Sequence, residues 1–192
     1  MAKPFVELLV GRESVQSRTV LAAWVVGGSL FVAGCARVSL PLPFTPVPLT
    51  LANFGVLMVG LMLGARAGFA ALALYLIEGV IGLPVFSPTG PGGLAQLMGP
   101  TGGFLMAYPL AAAVAGRIAE SGKPTMGRTT AAAIVAEIVL FAGGISWLVI
   151  LTHSLAQAVY FGVYGFVFAE VIKIMLAAAL ARHGRGVVRI RP

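Results

Sequence analysis

Four ionisable side chains stand inside stretches of this sequence that are otherwise apolar: Glu78, Glu137, Glu170 and Lys173. A charged group at the centre of a bilayer costs about 2.5–3.5 kcal/mol on insertion scales, so each should face the protein interior or water and have a partner. Glu170 and Lys173 are three positions apart, which on a helix sets them on one face. A carboxylate accepts hydrogen bonds and an ammonium donates them. The pair is therefore either an internal ion pair that makes its helix insertable, or a clamp for a polar ligand head bearing both N–H and carbonyl or carboxylate groups. Glu78 falls near the outer end of its apolar run, beside a Gly/Pro-rich stretch, where it either lines the mouth of a cavity or reaches headgroup water. Glu137 falls toward the inner half of its run, where a packing or snorkelling role is favoured over ligand contact.

Other chemistries lack their parts. The single cysteine, Cys35, has no internal disulfide partner, and no Cys/His cluster has metal-ligand spacing. His153 and His183 fall at loop or tail positions and are assigned no role. Gly116 to Lys123 has the wrong spacing for a phosphate loop, and Pro124 follows the lysine where Ser or Thr is needed. No Ser-His-Asp or metalloprotease pattern is present. An intramembrane enzyme with Glu78 or Glu137 as base would have neither nucleophile nor metal set. The expectation is a protein that is not an enzyme and holds no cofactor or metal. Net charge is +7, yet the basic residues sit between apolar runs rather than along a stripe, which argues against nucleic acid.

The elements that must position these groups follow from composition. Of the 192 residues, 59% are hydrophobic and 10% charged, against about 25% charged in a soluble domain. Mean hydropathy is +0.99. A soluble fold would leave much of that apolar surface in water, whereas a bilayer accommodates it. Spanning takes about 20 apolar residues, and six candidates emerge: 19–36, 50–64, 67–83, 102–119 with a kink at Pro109, 129–151 and 156–181. Gly64-Ala65-Arg66 makes the second and third a tight helical hairpin. Lys3, Arg12 and Arg18 before a run ending at Cys35 look superficially like a lipoprotein signal, but the chain stays membrane-like to residue 181, so the segment reads as a retained first helix. The expected organisation is one all-α membrane domain: a cytoplasmic segment 1–18, a six-helix bundle 19–181 and a basic cytoplasmic tail 182–192.

With the N-terminus in the cytoplasm, eleven of the 13 basic residues fall inside, Arg37 alone falls outside, and Lys173 is intramembrane. Both termini are then cytoplasmic. The outer connections carry the unusual sequence. Residues 38–48 hold Pro41, Pro43, Pro46 and Pro48, which forbid helix. Residues 83–103 are apolar, ordered by Pro84, Pro88, Pro91 and Pro100 and opened by glycine. Apolar non-helical backbone at a membrane face should pack on protein or line a cavity. Around this face stand Phe44, Tyr75, Phe86, Gln96, Trp147, Gln157, Tyr160 and Tyr164. Trp147 and Tyr160 suit an interfacial belt; Tyr75 and Tyr164 are placed to reach a pocket of apolar walls and few polar anchors. Small residues at Ala23/Gly27 and Ser29/Ala33 permit close helix approach, either within the bundle or to another membrane subunit.

Residues 38–50, Val-Ser-Leu-Pro-Leu-Pro-Phe-Thr-Pro-Val-Pro-Leu-Thr, closely resemble the first-loop signature of the BioY family, the biotin-specific substrate-capture (S) components of energy-coupling factor transporters. Leu63-Gly64 with Arg66-Ala67-Gly68, Leu74-Tyr75-Leu76 and Gly79 to Phe86 look like its second signature; Gly92-Gly93 and Gly99 to Leu105 look like its third. The resemblance covers roughly residues 20–181. It implies six helices, biotin held near the outer face and a first loop acting as a lid. It also implies an energising module of one membrane scaffold subunit and cytoplasmic ATPases, with the small residues Ala23 and Gly27 meeting the scaffold. Family members usually carry an acid and a lysine three residues apart on the last helix, matched here by Glu170 and Lys173, with Glu in place of the usual Asp. Glu170 is expected to accept from a ureido N–H, and Lys173 to donate to the ureido oxygen or the tail carboxylate. Tyr164, Tyr75, Gln96, Phe44 and Thr45 complete the expected ligand set, with Gly92 and Gly93 letting backbone approach the ligand. The alternative is a stand-alone proton-coupled carrier of a vitamin-like molecule, although no internal inverted repeat is evident.

Overall fold

The computed structural model describes residues 5–184, with side chains from residue 18 onward. Residues 1–4 and 185–192, the outer parts of the expected N-terminal segment and basic tail, lie outside the described residues.

Helix α1 (Phe5–Arg37) runs well N-terminal of the expected first span, and its membrane-competent part is Arg18–Arg37. A minimal antiparallel ladder follows, β1 (Ser39–Leu40) against β2 (Leu49–Thr50), pairing Ser39 with Thr50 and Leu40 with Leu49. The four prolines lie between these strands, so the first loop is a closed, non-helical flap tied at its base.

Helix α2 (Ala52–Val80) breaks at Gly64, where φ is 85° and ψ is 180°. Only glycine adopts that backbone readily. A Cβ there would also run into Glu120, whose Oε1 accepts from the Ala65 N–H at 3.1 Å. The two arms of α2 double back on each other. A Cβ on Gly68 would lie 3.2 Å from the Gly60 Cα, whereas eight residues of straight helix span about 12 Å. The hairpin expected from Gly64-Ala65-Arg66 is thus present.

Next come α3 (Gly93–Met98), within the second loop, and α4 (Gly102–Glu120). Helix α4 continues through Pro109. It crosses α2 closely: a Cβ on Gly60 would meet the Ala112 carbonyl oxygen at 2.5 Å. Helix α5 (Met126–Thr152) starts at a Thr125 cap that accepts from the Arg128 N–H, and stops where His153 takes a left-handed backbone (φ 53°). The final segment was not expected to bend. It is a short α6 (Leu155–Val159), a π-turn (Tyr160–Tyr164) and α7 (Val167–Gly184), with a 51° change of direction. Gly162 and Gly165 flank this bend.

Among the described residues, four helices are long and apolar enough to cross a membrane, or five if the bent α6–α7 pair is counted as one span. Large apolar side chains such as Leu30, Ile138, Ile150, Phe168 and Ile172 face outward, as lipid as solvent permits. The protein is a multi-pass membrane protein. On α7, the inward residues are Glu170, Lys173, Ala177, Ala178 and Ala181, the three-to-four spacing of one helix face. Small residues toward one end of that face let α7 pack tightly; the acid and the lysine occupy the other end.

Candidate functional site

The inward end of α7 meets the base of the first loop. Lys173 Nζ donates to Glu170 Oε1 at 2.7 Å and to the Thr50 carbonyl at 2.6 Å. Both side chains are buried, at 8% and 4% exposure, so the attraction is not diluted by solvent as it is in a surface pair. Asn53, from the first turn of α2, joins them. Its Nδ2 donates to Glu170 Oε1 at 3.4 Å and to Glu137 Oε1, on α5, at 3.3 Å. Its Oδ1 accepts from the Tyr108 hydroxyl, on α4, at 3.1 Å. Four helices thereby contribute to one polar cluster.

The cluster forms the floor of a cavity whose empty space, open solvent at its mouth included, is about 550 Å³. Glu170, Asn53 and Tyr108 line it below. Phe104, Phe141 and Phe166 supply apolar wall, and Val47, Pro48, Ser87, Gln96 and Thr101 from the first and second loops close over it. Tyr75 is fully buried in the wall, edge-on to Phe86 with centroids 5.3 Å apart and stacked on Tyr108 at 6.1 Å.

The Tyr75 hydroxyl, Glu170 Oε2 and Glu137 Oε2 are buried without a protein partner among the described residues. Buried polar atoms are otherwise nearly always paired. Glu170 is thus split in function: Oε1 is anchored by Lys173 and Asn53, and Oε2 is left over on the cavity floor.

The loops are tied by hydroxyls and backbone. Ser87 donates to Ser39 at 2.7 Å and shares a 2.7 Å bond with Thr89, linking the second loop to the first. The Thr45 hydroxyl donates to the Phe161 carbonyl in the π-turn at 2.7 Å and accepts from the Val47 N–H. Gln96 is buried, and its Oε1 accepts from the Gly92 N–H at 3.1 Å. Gly92 and Gly93 both have positive φ, at 72° and 58°, a backbone that favours glycine.

The structure therefore brings Glu170, Tyr75 and Gln96 to the cavity, with Lys173 directly behind Glu170. Thr45 acts as a strut for the flap. Phe44 packs against Gly165 at the bend. Tyr164 does not reach the cavity: it is 75% exposed and stacks on Tyr160, because the π-turn rotates it outward. Trp147 Nε1 donates to the Gly99 carbonyl at 2.9 Å and pins the second loop. Glu78 takes the Ser29 hydroxyl, a link between α1 and α2. Glu137 joins the polar floor instead of snorkelling. Asn53 and Tyr108 were missed. Asn53 is the chain's one asparagine, and an amide in an apolar run needs a buried partner as an ionisable group does; that signal was available.

An apolar helical bundle that holds a polar-floored cavity beneath two ordered loops defines a membrane-embedded binder of a small molecule. The BioY family model matches residues 11–190, and the chain belongs to that family. A relative from Thermotoga maritima, the biotin transporter BioY, is 37% identical over 153 residues, covering 80% of this chain and 88% of the relative. The biotin transporter BioY of Rhizobium etli is 38% identical over 149 residues, covering 73% and 79%. Among solved structures, the S-component for biotin from an ECF-type ABC transporter superposes with a TM-score of 0.79 at 23% identity, covering 89% of this chain and 93% of that one; it supports the fold.

Proposed function

We propose that this chain binds biotin from outside the cell and delivers it as the substrate-specific subunit of an energy-coupling factor transporter, a role of capture rather than catalysis. The observation that carries this reading is Glu170 Oε2, a buried carboxylate oxygen with no partner among the described residues, on the floor of an apolar-walled cavity. Biotin offers what such a site lacks: a ureido N–H for that oxygen and an apolar ring system for the phenylalanine wall. Of the three N–H donors on Lys173, two are used inside the protein; the third serves a ligand carbonyl or carboxylate oxygen. Tyr75 and Gln96 face the cavity as further polar contacts, and the flap from Ser39 to Thr50, seated by Thr45, is the lid.

Six spans with both termini in the cytoplasm complete the reading. Dividing α2 at Gly64 supplies the sixth span. The alternation then gathers the flap, the second loop and the π-turn at the outer end, and the Gly64 turn and Glu120 at the inner end. The energising scaffold would dock on α1, where Ala23 and Gly27 are exposed and a Cβ on Gly27 meets nothing within 4 Å. Beside them Trp24, Phe31, Met58 and Met62 line an apolar groove.

The test is calorimetric titration of the purified protein in detergent with biotin, thiamine and riboflavin, alongside cellular uptake with and without the ATPase partners. Saturable biotin binding and ATPase-dependent uptake are expected. Preference for another vitamin would sink the ligand assignment, and undiminished uptake without ATPases would favour the stand-alone carrier.

A further inference from the structure

The polar floor contains two groups that the reading above does not use, Glu137 and Tyr108. They hold the Asn53 side chain from opposite ends. Tyr108 gives its hydroxyl proton to Oδ1, and Glu137 and Glu170 together take both N–H groups of Nδ2. An amide has two donors and two acceptor lone pairs. Here both donors are used, and one lone pair on Oδ1 is left. The opposite amide orientation would set Oδ1 against two carboxylate oxygens. The pair therefore fixes which face of Asn53 the cavity meets. Asn53 lines that cavity beside Glu170, whose unpartnered Oε2 is likewise an acceptor.

We propose that Glu137 and Tyr108 are positioning residues that lock the Asn53 amide, so that Asn53 and Glu170 together offer acceptors to the ligand head and select a ring with N–H groups over an isosteric ring without them. The proposal rests on the biotin reading and extends it to specificity. It gives Glu137, otherwise an unexplained buried acid 5% exposed, a task that needs an acceptor but no contact with ligand. A site built to bond an N–H rejects the analogue lacking it because its own buried acceptor is left unpaired, a discrimination that reaches about 10⁴-fold in such sites.

The probe is a cyclic carbamate analogue of biotin in which a ring oxygen replaces one ureido N–H. Its dissociation constant and that of biotin are measured by calorimetry on the wild type and on Glu137→Leu, Glu137→Gln and Tyr108→Phe. The wild type should prefer biotin by at least about a hundredfold. Glu137→Leu and Tyr108→Phe each remove one of the bonds that hold the amide, so the preference should narrow about tenfold, a loss of one such hydrogen bond. Glu137→Gln keeps an acceptor for Asn53 and should hold the preference within about threefold, roughly the lower range for a neutral hydrogen bond. If Glu137→Leu does not fold, Tyr108→Phe alone decides the matter. Biotin and carbamate weakening in parallel, with the ratio unchanged, would mean that these groups only pack, and the proposal fails. It also fails if Glu137→Gln loses selectivity as fully as Glu137→Leu. A wild type that ignores biotin altogether overturns the functional reading instead, and the wild-type arm reports this separately.

Discussion

Thr50 and Lys173 are 123 positions apart in sequence, yet the lysine ammonium lies 2.6 Å from the threonine carbonyl oxygen. Thr50 is the last residue of the flap's ladder, paired with Ser39, and Lys173 is the partner of Glu170. One ammonium thus joins the base of the flap to the carboxylate on the cavity floor. Any change that loosens Lys173 acts on the cavity floor and on the flap together.

Lys173→Ala leaves Glu170 buried with no cation and the Thr50 carbonyl without its donor. Breaking one side of a buried pair costs about 3–5 kcal/mol. The expected result is a lower thermal midpoint in detergent and biotin affinity reduced at least about tenfold, each 1.4 kcal/mol corresponding to tenfold. Calorimetry and a fluorescence melt check both. Unchanged affinity in a folded variant would remove the lysine from the binding site.

Thr45→Val removes the bond to the Phe161 carbonyl at 2.7 Å and the one from the Val47 N–H at 3.1 Å. Hydrogen bonds of this kind contribute about 0.5–1.5 kcal/mol each. The flap should open more often, so labelled biotin chased with unlabelled biotin should leave about three- to tenfold faster. Thermal stability should move less than release does.

Gly60→Leu forces a side chain into the crossing of α2 and α4, where a Cβ already meets the Ala112 carbonyl oxygen at 2.5 Å. Overpacking of this kind costs about 1–3 kcal/mol. The melting midpoint should fall, with ligand binding lost in step with the folded fraction.

Gly27→Leu is the contrasting case, since a Cβ there meets nothing within 4 Å. Stability should change by no more than about 0.5 kcal/mol, and biotin binding should be unaltered. Copurification with the scaffold and ATPases, and uptake that depends on them, should be lost. Normal assembly of this variant would move the docking surface elsewhere.

The legible part of the site was the part whose signal is local. Glu170 and Lys173 announced themselves because an acid and an amine in an apolar run need each other, and three residues of helix set them on one face. The Gly64 turn was equally legible, because the break between two apolar runs falls at a glycine. Tyr164 was misplaced for a reason no periodicity could supply: a π-turn and a 51° bend rotate it away from the face that Glu170 occupies. That the Trp147 indole N–H finds a backbone acceptor in the second loop was likewise beyond composition, because it depends on where that loop packs.

Hydropathy and charge are additive along the chain, so the sequence by itself determined that this is a helical membrane protein, where its apolar runs lie and which side chains require burial with a partner. Tertiary structure alone decided that Asn53, Tyr108 and Glu137 join Glu170 and Lys173, and that of Glu170's two oxygens one is anchored and one left over. The physical reason is range. A burial penalty belongs to a single residue and its neighbours in sequence, whereas a hydrogen bond depends on ångström-scale distances between helices, set only when small-residue crossings such as Gly60 against Ala112 bring the backbones together.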